Sequence, residues 1–233
     1  MYRMPRVKGG AVSAKLTQEF ITASYQDNPP QKIGDFIYDP SVSATTARVY
    51  HNPQTGQTIL VNRGTKELSD WGNNLAYATG THKMTKRYKE AEKVQQQAEA
   101  KYGAKNISQI THSQGAIYGR DLGKNVKEVI SVNPARRGEK ERANEYVVRS
   151  SADPVSTAFD TAKSVASKGL FGTIFGKKKT DPKSKEKVVK AETSNPLAEH
   201  SQKILERLPE GEMLGSGRDF YQHFGGYQYY IPY

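Results

Sequence analysis

The stretch Asn106-Ile107-Ser108-Gln109-Ile110-Thr111-His112-Ser113-Gln114-Gly115-Ala116 decides the fold. Asn106 to Ile110 reads as a short strand, and Gln114 to Leu122 has helical spacing and is closed by Gly123. A serine set in the sharp turn between a strand and a helix has its hydroxyl pushed out above the end of the sheet. The same turn aims the backbone N–H of the next residue, here Gln114, at an oxygen that gains negative charge, and the helix adds its positive end. Helix and strand approach closely at such a turn, so small residues are needed beside the serine, and Gly115 and Ala116 meet that need. Ser113 is therefore the candidate nucleophile and Gln114 a candidate oxyanion donor; the plain alternative is a small residue at a helix N-terminus. Thr111 stands where such turns usually carry a glycine. A β-branched residue fits there only if the neighbouring strand leaves room.

On the N-terminal side, Ala47 to Tyr50 and Thr58 to Asn62 read as two strands joined by a turn over His51 to Gln57. The second strand runs into Arg63-Gly64-Thr65, then a helix over Glu67 to Ala76 and a longer one over Lys86 to Tyr102 that stops at Gly103. On the C-terminal side, Val126 to Val132 and Glu145 to Val148 read as further strands, and Leu197 to Leu208 as an amphipathic helix. Strands alternating with helices predict an α/β fold: a mostly parallel central sheet with helices on both faces, in a single domain. Leu16 to Tyr25 has helical spacing, and residues 26–35, with Asn28-Pro29-Pro30 and Gly34, read as a loop. The expected organisation is an arm and short helix over 1–30, the α/β domain over 31–162 plus 195–210, an insert over 163–194, and an aromatic tail over 211–233.

The 233 residues suffice for one ordinary domain with appendages. With no cysteine, the chain has no disulfide, thiolate metal site or cysteine nucleophile, and no cofactor or metal is expected. No window approaches the roughly 18 apolar residues a spanning helix needs. The basic start, Met1 to Gly10, lacks the apolar stretch of a secretory signal. A soluble, intracellular or particle-associated protein is expected. The net charge of +11 suits an anionic partner, whether nucleic acid, phospholipid or acidic protein, or simple solubility. Nucleic acid is disfavoured, because the basic residues are not interleaved with aromatics. Within the insert, Lys168 to Gly176 is apolar and glycine-rich, and Lys177 to Lys190 carries seven lysines against two acids. That pattern reads either as a solvated loop or as a lid-like segment, with Leu170, Phe171, Ile174 and Phe175 dipping into an anionic membrane surface. The tyrosine-rich tail from Phe220 to Tyr233 reads as a wrap over a surface or a contact to a protein partner.

Five ordered segments resemble the class 3, or fungal-type, lipase family of the α/β-hydrolase fold. They are Val61-Asn62-Arg63-Gly64-Thr65 with Asp70-Trp71 and Leu75, Ile110 to Ala116, Ser131-Val132-Asn133-Pro134-Ala135-Arg136, Tyr146-Val147-Val148-Arg149 leading to Asp153-Pro154-Val155, and Asn195-Pro196-Leu197-Ala198-Glu199-His200-Ser201. The resemblance covers roughly residues 35 to 208. It implies a triad in the chain order Ser113, Asp153, His200. His200 would take the hydroxyl proton of Ser113, and Asp153 would hold and stabilise the imidazole. Asp160 is the fallback acid, since Asp153 before Pro154 also suits an ordinary turn. Of the other histidines, His51 lies in a hairpin turn, His82 in a loop and His112 beside the elbow; His223, amid aromatics, reads as packed or surface-lying. Thr65 would be the second oxyanion donor, or would merely cap the following helix, and Trp71 a core residue or a lid hinge. The implied function is a serine carboxylester hydrolase, a lipase or phospholipase working through an acyl-enzyme on a lipid ester. The alternative is a weak or inactive hydrolase scaffold with a structural or interaction role. Lipase-like relatives occur in large DNA viruses and their parasites, and Gly9-Gly10-Ala11 resembles sites cut by virion proteases, so that alternative extends to a viral, virion-associated protein.

Overall fold

Thr58 to Asn62 forms the strand at which the two halves of the sheet meet, and all five of its residues are buried. A computed structural model describes residues 12–65, 85–135, 143–156 and 185–215, with the backbone of 221–224 and 227–230. In chain order the elements are β1 (Val12–Ser13), α1 (Ala14–Ser24), β2 (Lys32–Ile33), β3 (Phe36–Tyr38), β4 (Ala47–His51) and β5 (Thr58–Asn62). Next come α2 (Lys86–Tyr102), β6 (Ile107–His112), α3 (Gly115–Leu122), β7 (Glu128–Val132) and β8 (Glu145–Ser150). Then follow β9 (Glu186–Val189), α4 (Pro196–His200), β10 (Met213–Leu214), β11 (Tyr221–Phe224) and β12 (Tyr227–Tyr230).

Eight strands form one mixed sheet in the order β2-β3-β4-β5-β6-β7-β8-β9. Pairing is antiparallel from β2 to β5 and parallel from β5 to β9. The chain has the α/β fold that the alternation of its elements predicts. In the parallel half the registers Asn62↔Thr111, His112↔Val132 and Val132↔Val148 align the carboxyl ends of β5 to β8. Ligands of open α/β sheets bind in the crevice outside those ends.

Alternating side chains fill the two faces. Tyr50, Ile59, Val61, Ile110, Ile130 and Val132 pack with Phe20 and Ile21 of α1 and with Ile204 and Leu205. On the opposite face Val49, Leu60, Ile107 and Val129 pack with Val94 and Ala98 of α2. Helices α1 and α2 begin on hydroxyl caps: Ser13 accepts from Leu16 N at 3.1 Å and Thr85 from Tyr88 N at 3.2 Å. Gly103, at φ +79°, ends α2.

The structure departs from the sequence reading in five places. The loop expected over 26–35 contains β2 and the start of a hairpin turned at Gly34, φ +54°. The short helix expected within residues 1–30, apart from the α/β domain, lies in the core, with Phe20 and Ile21 fully buried. The first residues of the tail return to the body, since β10 pairs with β1. The lysine-rich insert is not loop throughout: Glu186 to Val189 is an edge strand paired with β8 in the register Ser150↔Val189. Finally, the single helix expected over Leu197 to Leu208 is broken. Ser201 is extended (φ −70°, ψ 151°) and separates α4 from a 3₁₀ turn over Gln202–Arg207. The helix expected over Glu67 to Ala76, Trp71, His82, Asp160, Gly9-Gly10 and Lys168 to Lys183 lie outside the described residues. Among the described residues no helix is long and apolar enough to cross a membrane.

Candidate active site

Ser113 follows β6 in the left-handed region, φ +54°, a conformation that costs a non-glycine residue roughly 1–3 kcal/mol and must be held by its surroundings. Three backbone bonds hold it: Ser113 N donates to Val132 O at 3.2 Å, while Ser113 O accepts from Ala116 N at 3.1 Å and Ala135 N at 2.9 Å. Helix α3 then passes so close to β5 that a Cβ on Gly115 would lie 2.1 Å from Asn62 O. Thr111 is accommodated by a second glycine rather than by a gap in the sheet. A Cβ on Gly119 of α3 would lie 2.6 Å from Thr111 Cγ2, so the methyl occupies space that the helix leaves empty. The neighbouring strand supplies a partner: Thr111 Oγ1 donates to Ser131 Oγ at 2.9 Å, and Ser131 Oγ to Glu145 Oε1 at 2.7 Å. Arg120 Nε meets both Glu145 oxygens at 3.1 Å.

The three side chains singled out from the sequence stand together. His200 Nε2 lies 2.8 Å from Ser113 Oγ, and His200 Nδ1 lies 2.7 Å from Asp153 Oδ1. Asp153 is fully buried and accepts from Val155 N at 3.1 Å and Ser156 N at 3.0 Å. Burial alone would push its carboxyl up; the His200, Ser156 and Val155 hydrogen bonds outweigh burial and hold it below the usual carboxylate range. An ionised Asp153 fixes the proton of His200 on Nδ1 and leaves Nε2 facing the hydroxyl as an acceptor.

The histidine is held by its chain neighbours. Asn195 caps α4 by accepting from Leu197 N at 3.0 Å, with Pro196 at the first helical position. Asn133, at φ +42°, donates to Glu199 O at 3.0 Å and Ser201 O at 3.2 Å, gripping the backbone on both sides of His200. The Glu199 carboxylate accepts from Arg207 Nη1 at 2.8 Å and Nη2 at 3.0 Å, and also from Ser150 Oγ. The Arg207 hydrogen bonds, foremost, lower it to about 2 against the cost of burial.

A second histidine supports the first. His112 Nδ1 lies 2.7 Å from Tyr25 Oη, and Nε2 lies 3.0 Å from His200 O. Tyr25 Oη accepts from Gly64 N at 2.9 Å, so its own proton goes to His112 Nδ1. His112 is thereby the neutral Nε2–H tautomer, donating to the His200 carbonyl. Burial, and then the nearby His200, lower its pKa to about 3; burial raises that of Tyr25 to about 12.

Thr65 faces the elbow from the loop after β5, and its Oγ1 donates to Gln114 Oε1 at 2.7 Å. Among the described residues no protein acceptor takes the backbone N–H of Thr65 or Gln114. Gly64 admits this approach, since a Cβ there would lie 2.8 Å from Ser113 Cβ. A cavity of about 450 Å³ lies over the site, lined by Thr22, Tyr25, Thr65, Ser113, Leu197 and His200. Leu197 at its mouth is 57% exposed.

Of the remaining histidines, His51 stacks on Tyr102 at 4.4 Å, and His223 falls in β11, paired with Gln228 of β12. Tyr25, Arg87, Asn133 and Gly119 support the site without having been singled out in the sequence. Only Asn133 carries a local signal, as a residue type that tolerates positive φ.

No family model and no curated protein sequence matches this chain. Among solved structures it is similar to the Lip2 lipase of Yarrowia lipolytica, with a TM-score of 0.40 and 11% identity over 61% of this chain and 73% of that one. That likeness is loose, and the site's own geometry is the basis for its chemistry.

Proposed function

We propose that this chain is a serine carboxylester hydrolase in which Ser113 attacks, His200 transfers protons and Asp153 steers the imidazole. The observation that carries this reading is the continuous line from Asp153 Oδ1 through His200 to Ser113 Oγ, at 2.7 and 2.8 Å, ending on a hydroxyl raised at φ +54°. As Ser113 Oγ bonds to the ester carbon, its proton passes to His200 Nε2 and the carbonyl oxygen becomes an oxyanion between the N–H groups of Gln114 and Thr65. Each such donor contributes on the order of 3 kcal/mol to the transition state. Collapse breaks the bond to the alcohol, which leaves with the proton from His200. Water, deprotonated by His200, then releases the acid from Ser113. Exposed Leu197 at the cavity mouth suits an apolar acyl or alkyl group, so lipid esters are the proposed substrate class.

The test is labelling by a fluorophosphonate, in which Ser113 Oγ displaces fluoride from phosphorus, alongside hydrolysis of p-nitrophenyl esters. The parent should be labelled and should turn over, and Ser113→Ala should do neither. A folded parent that neither labels nor hydrolyses any ester would leave a scaffold in place of an enzyme.

A further inference from the structure

We infer that Arg87, on the first turn of α2, is the positioning residue that orients and polarises the oxyanion donors. The inference rests on the hydrolase reading above. Arg87 makes no hydrogen bond to Ser113 or His200. Its guanidinium donates from Nη2 to Gly64 O at 2.9 Å and Arg63 O at 3.3 Å, and from Nη1 to Gln114 Oε1 at 3.4 Å. It therefore bridges the loop after β5 and the start of the elbow helix, the two segments that carry the candidate donors.

The direction of the donors follows from peptide planarity. The carbonyl of Gly64 and the N–H of Thr65 belong to one trans peptide, so they point in opposite directions. Gly64 O accepts from Arg87 Nη2 and also from Arg63 Nη1 at 3.3 Å. Gripped at its oxygen by two cations, that peptide presents the Thr65 N–H on its far side, where Thr65 lines the cavity. The preceding peptide is pinned at both ends, with Arg63 O on Arg87 and Gly64 N on Tyr25 Oη. Through Gly64 the backbone polar atoms of the loop are thus fixed, and the Thr65 N–H that follows is left to the substrate. Cations on the carbonyl also draw electrons from the amide, making its N–H a stronger donor to an anion. On the other wall, Gln114 Oε1 is shared by Thr65 Oγ1 and Arg87, which ties the two donor residues together.

Among the described residues no carboxylate pairs with Arg87. Its charge is spent on carbonyl oxygens that need no cation for folding, an arrangement better explained by what lies on the far side of the amide. The contribution should appear when the substrate oxygen becomes negative and be small while it is a neutral carbonyl.

The experiment compares the parent with Arg87→Met, which keeps the stem without the guanidinium, and with Arg87→Lys, which keeps the charge without the fork. Steady-state hydrolysis of a p-nitrophenyl ester is measured with inhibition by an alkyl boronic acid, whose tetrahedral adduct on Ser113 is anionic. Arg87→Met should lose roughly 10- to 100-fold in kcat, less than the ~10²–10³ that deleting a donor outright costs, with KM held within about twofold. Boronate affinity should fall by the same factor as kcat, Arg87→Lys should lose less, and added methylguanidinium should recover part of the Arg87→Met loss. If kcat stays within twofold of the parent, or if KM rises by the whole factor while boronate affinity is unchanged, Arg87 does not act on the donors. Those outcomes are distinct from failure of the hydrolase reading, in which the parent itself neither hydrolyses the ester nor takes up the fluorophosphonate.

Discussion

Substituting Gly119 by alanine tests how an elbow with threonine in place of its first glycine is accommodated. The added Cβ would stand 2.6 Å from Thr111 Cγ2 and 3.2 Å from Val129 Cγ1. Contacts that close force side chains or backbone to move, at a cost of about 1–3 kcal/mol. Alanine in a helix interior regains ~1 kcal/mol over glycine, so Gly119→Ala should destabilise by about 0–2 kcal/mol. Thr111→Ser removes only the methyl and keeps the hydroxyl on Ser131, 2.9 Å away; its cost is about 1 kcal/mol, the transfer value of one buried methyl. In the double variant the new Cβ occupies the space the methyl vacated, so the clash with Thr111 and the void both go and only the tight contact with Val129 Cγ1 remains. Its stability should return to within about 1 kcal/mol of the parent, with a favourable coupling near 2 kcal/mol. Urea unfolding followed by far-ultraviolet circular dichroism measures all four proteins, and ester turnover checks that the elbow recovers with the fold. Additivity of the two single changes to within about 0.5 kcal/mol would show that the sites are independent and that the room for Thr111 comes from elsewhere.

Two further changes probe the supports of the site. His112 is buried neutral with its pKa lowered to about 3 from 6.5. Between those values the unfolded chain binds a proton that the folded one does not, so stability falls as pH drops below about 6.5, by up to ~1.4 kcal/mol per unit. His112→Gln should remove that slope, and urea midpoints of parent and variant should converge from pH 7 to pH 4; parallel curves would contradict the burial of a neutral ring. Glu199, lowered to about 2, extends the parent's acid loss below pH 4.5 by the same sign of linkage, because the unfolded carboxylate protonates first. Tyr25→Phe deprives Gly64 N–H of its acceptor and His112 Nδ1 of its donor, 2.9 and 2.7 Å away. It should cost about 1–3 kcal/mol of stability and several-fold in kcat, read by thermal unfolding and ester turnover; unchanged turnover would remove Tyr25 from the support of the site.

The long regular elements were legible because their periodicity is unambiguous: α2 from its run of helix formers, β4 to β7 from short apolar or β-branched runs between turns. What was not legible has particular physical causes. Strands β2 and β3 are two and three residues long and sit beside prolines and Gly34, so no alternation can develop. Strand β9 was hidden by counting charge, since Val188 and Val189 lie among lysines and only Val189 of the strand is buried. The spacing of Leu197, Ile204, Leu205 and Leu208 fits one helix, but Ser201 accepts from Lys203 N at 3.2 Å and begins a new turn. In the site, Ser113 had a local signature and Asp153 and His200 were reached only through ordered resemblance. Tyr25, Arg87 and Asn133 act largely on backbone atoms, and a contact to a carbonyl or an N–H leaves no pattern of residue types to read.

That same feature explains why α1 cannot be a detachable arm. Tyr25 is its C-cap, and a single hydroxyl there joins the loop of the candidate oxyanion donors to the ring beneath His200. The hydroxyl can do so only if α1 is seated to within less than an ångström, because both hydrogen bonds lapse beyond about 3.5 Å. Phe20 and Ile21, fully buried against Tyr50 and Ile59, fix that seat, and Phe20 meets the rings of Phe36 and Tyr50 edge-on at 5.4 and 5.2 Å. Two buried side chains of this size contribute roughly 1.5–3 kcal/mol each, enough to anchor the helix and to keep its last residue in register with Gly64 and His112. The packing of an N-terminal segment is thereby part of the geometry at Ser113, although no residue of that segment resembles catalytic machinery.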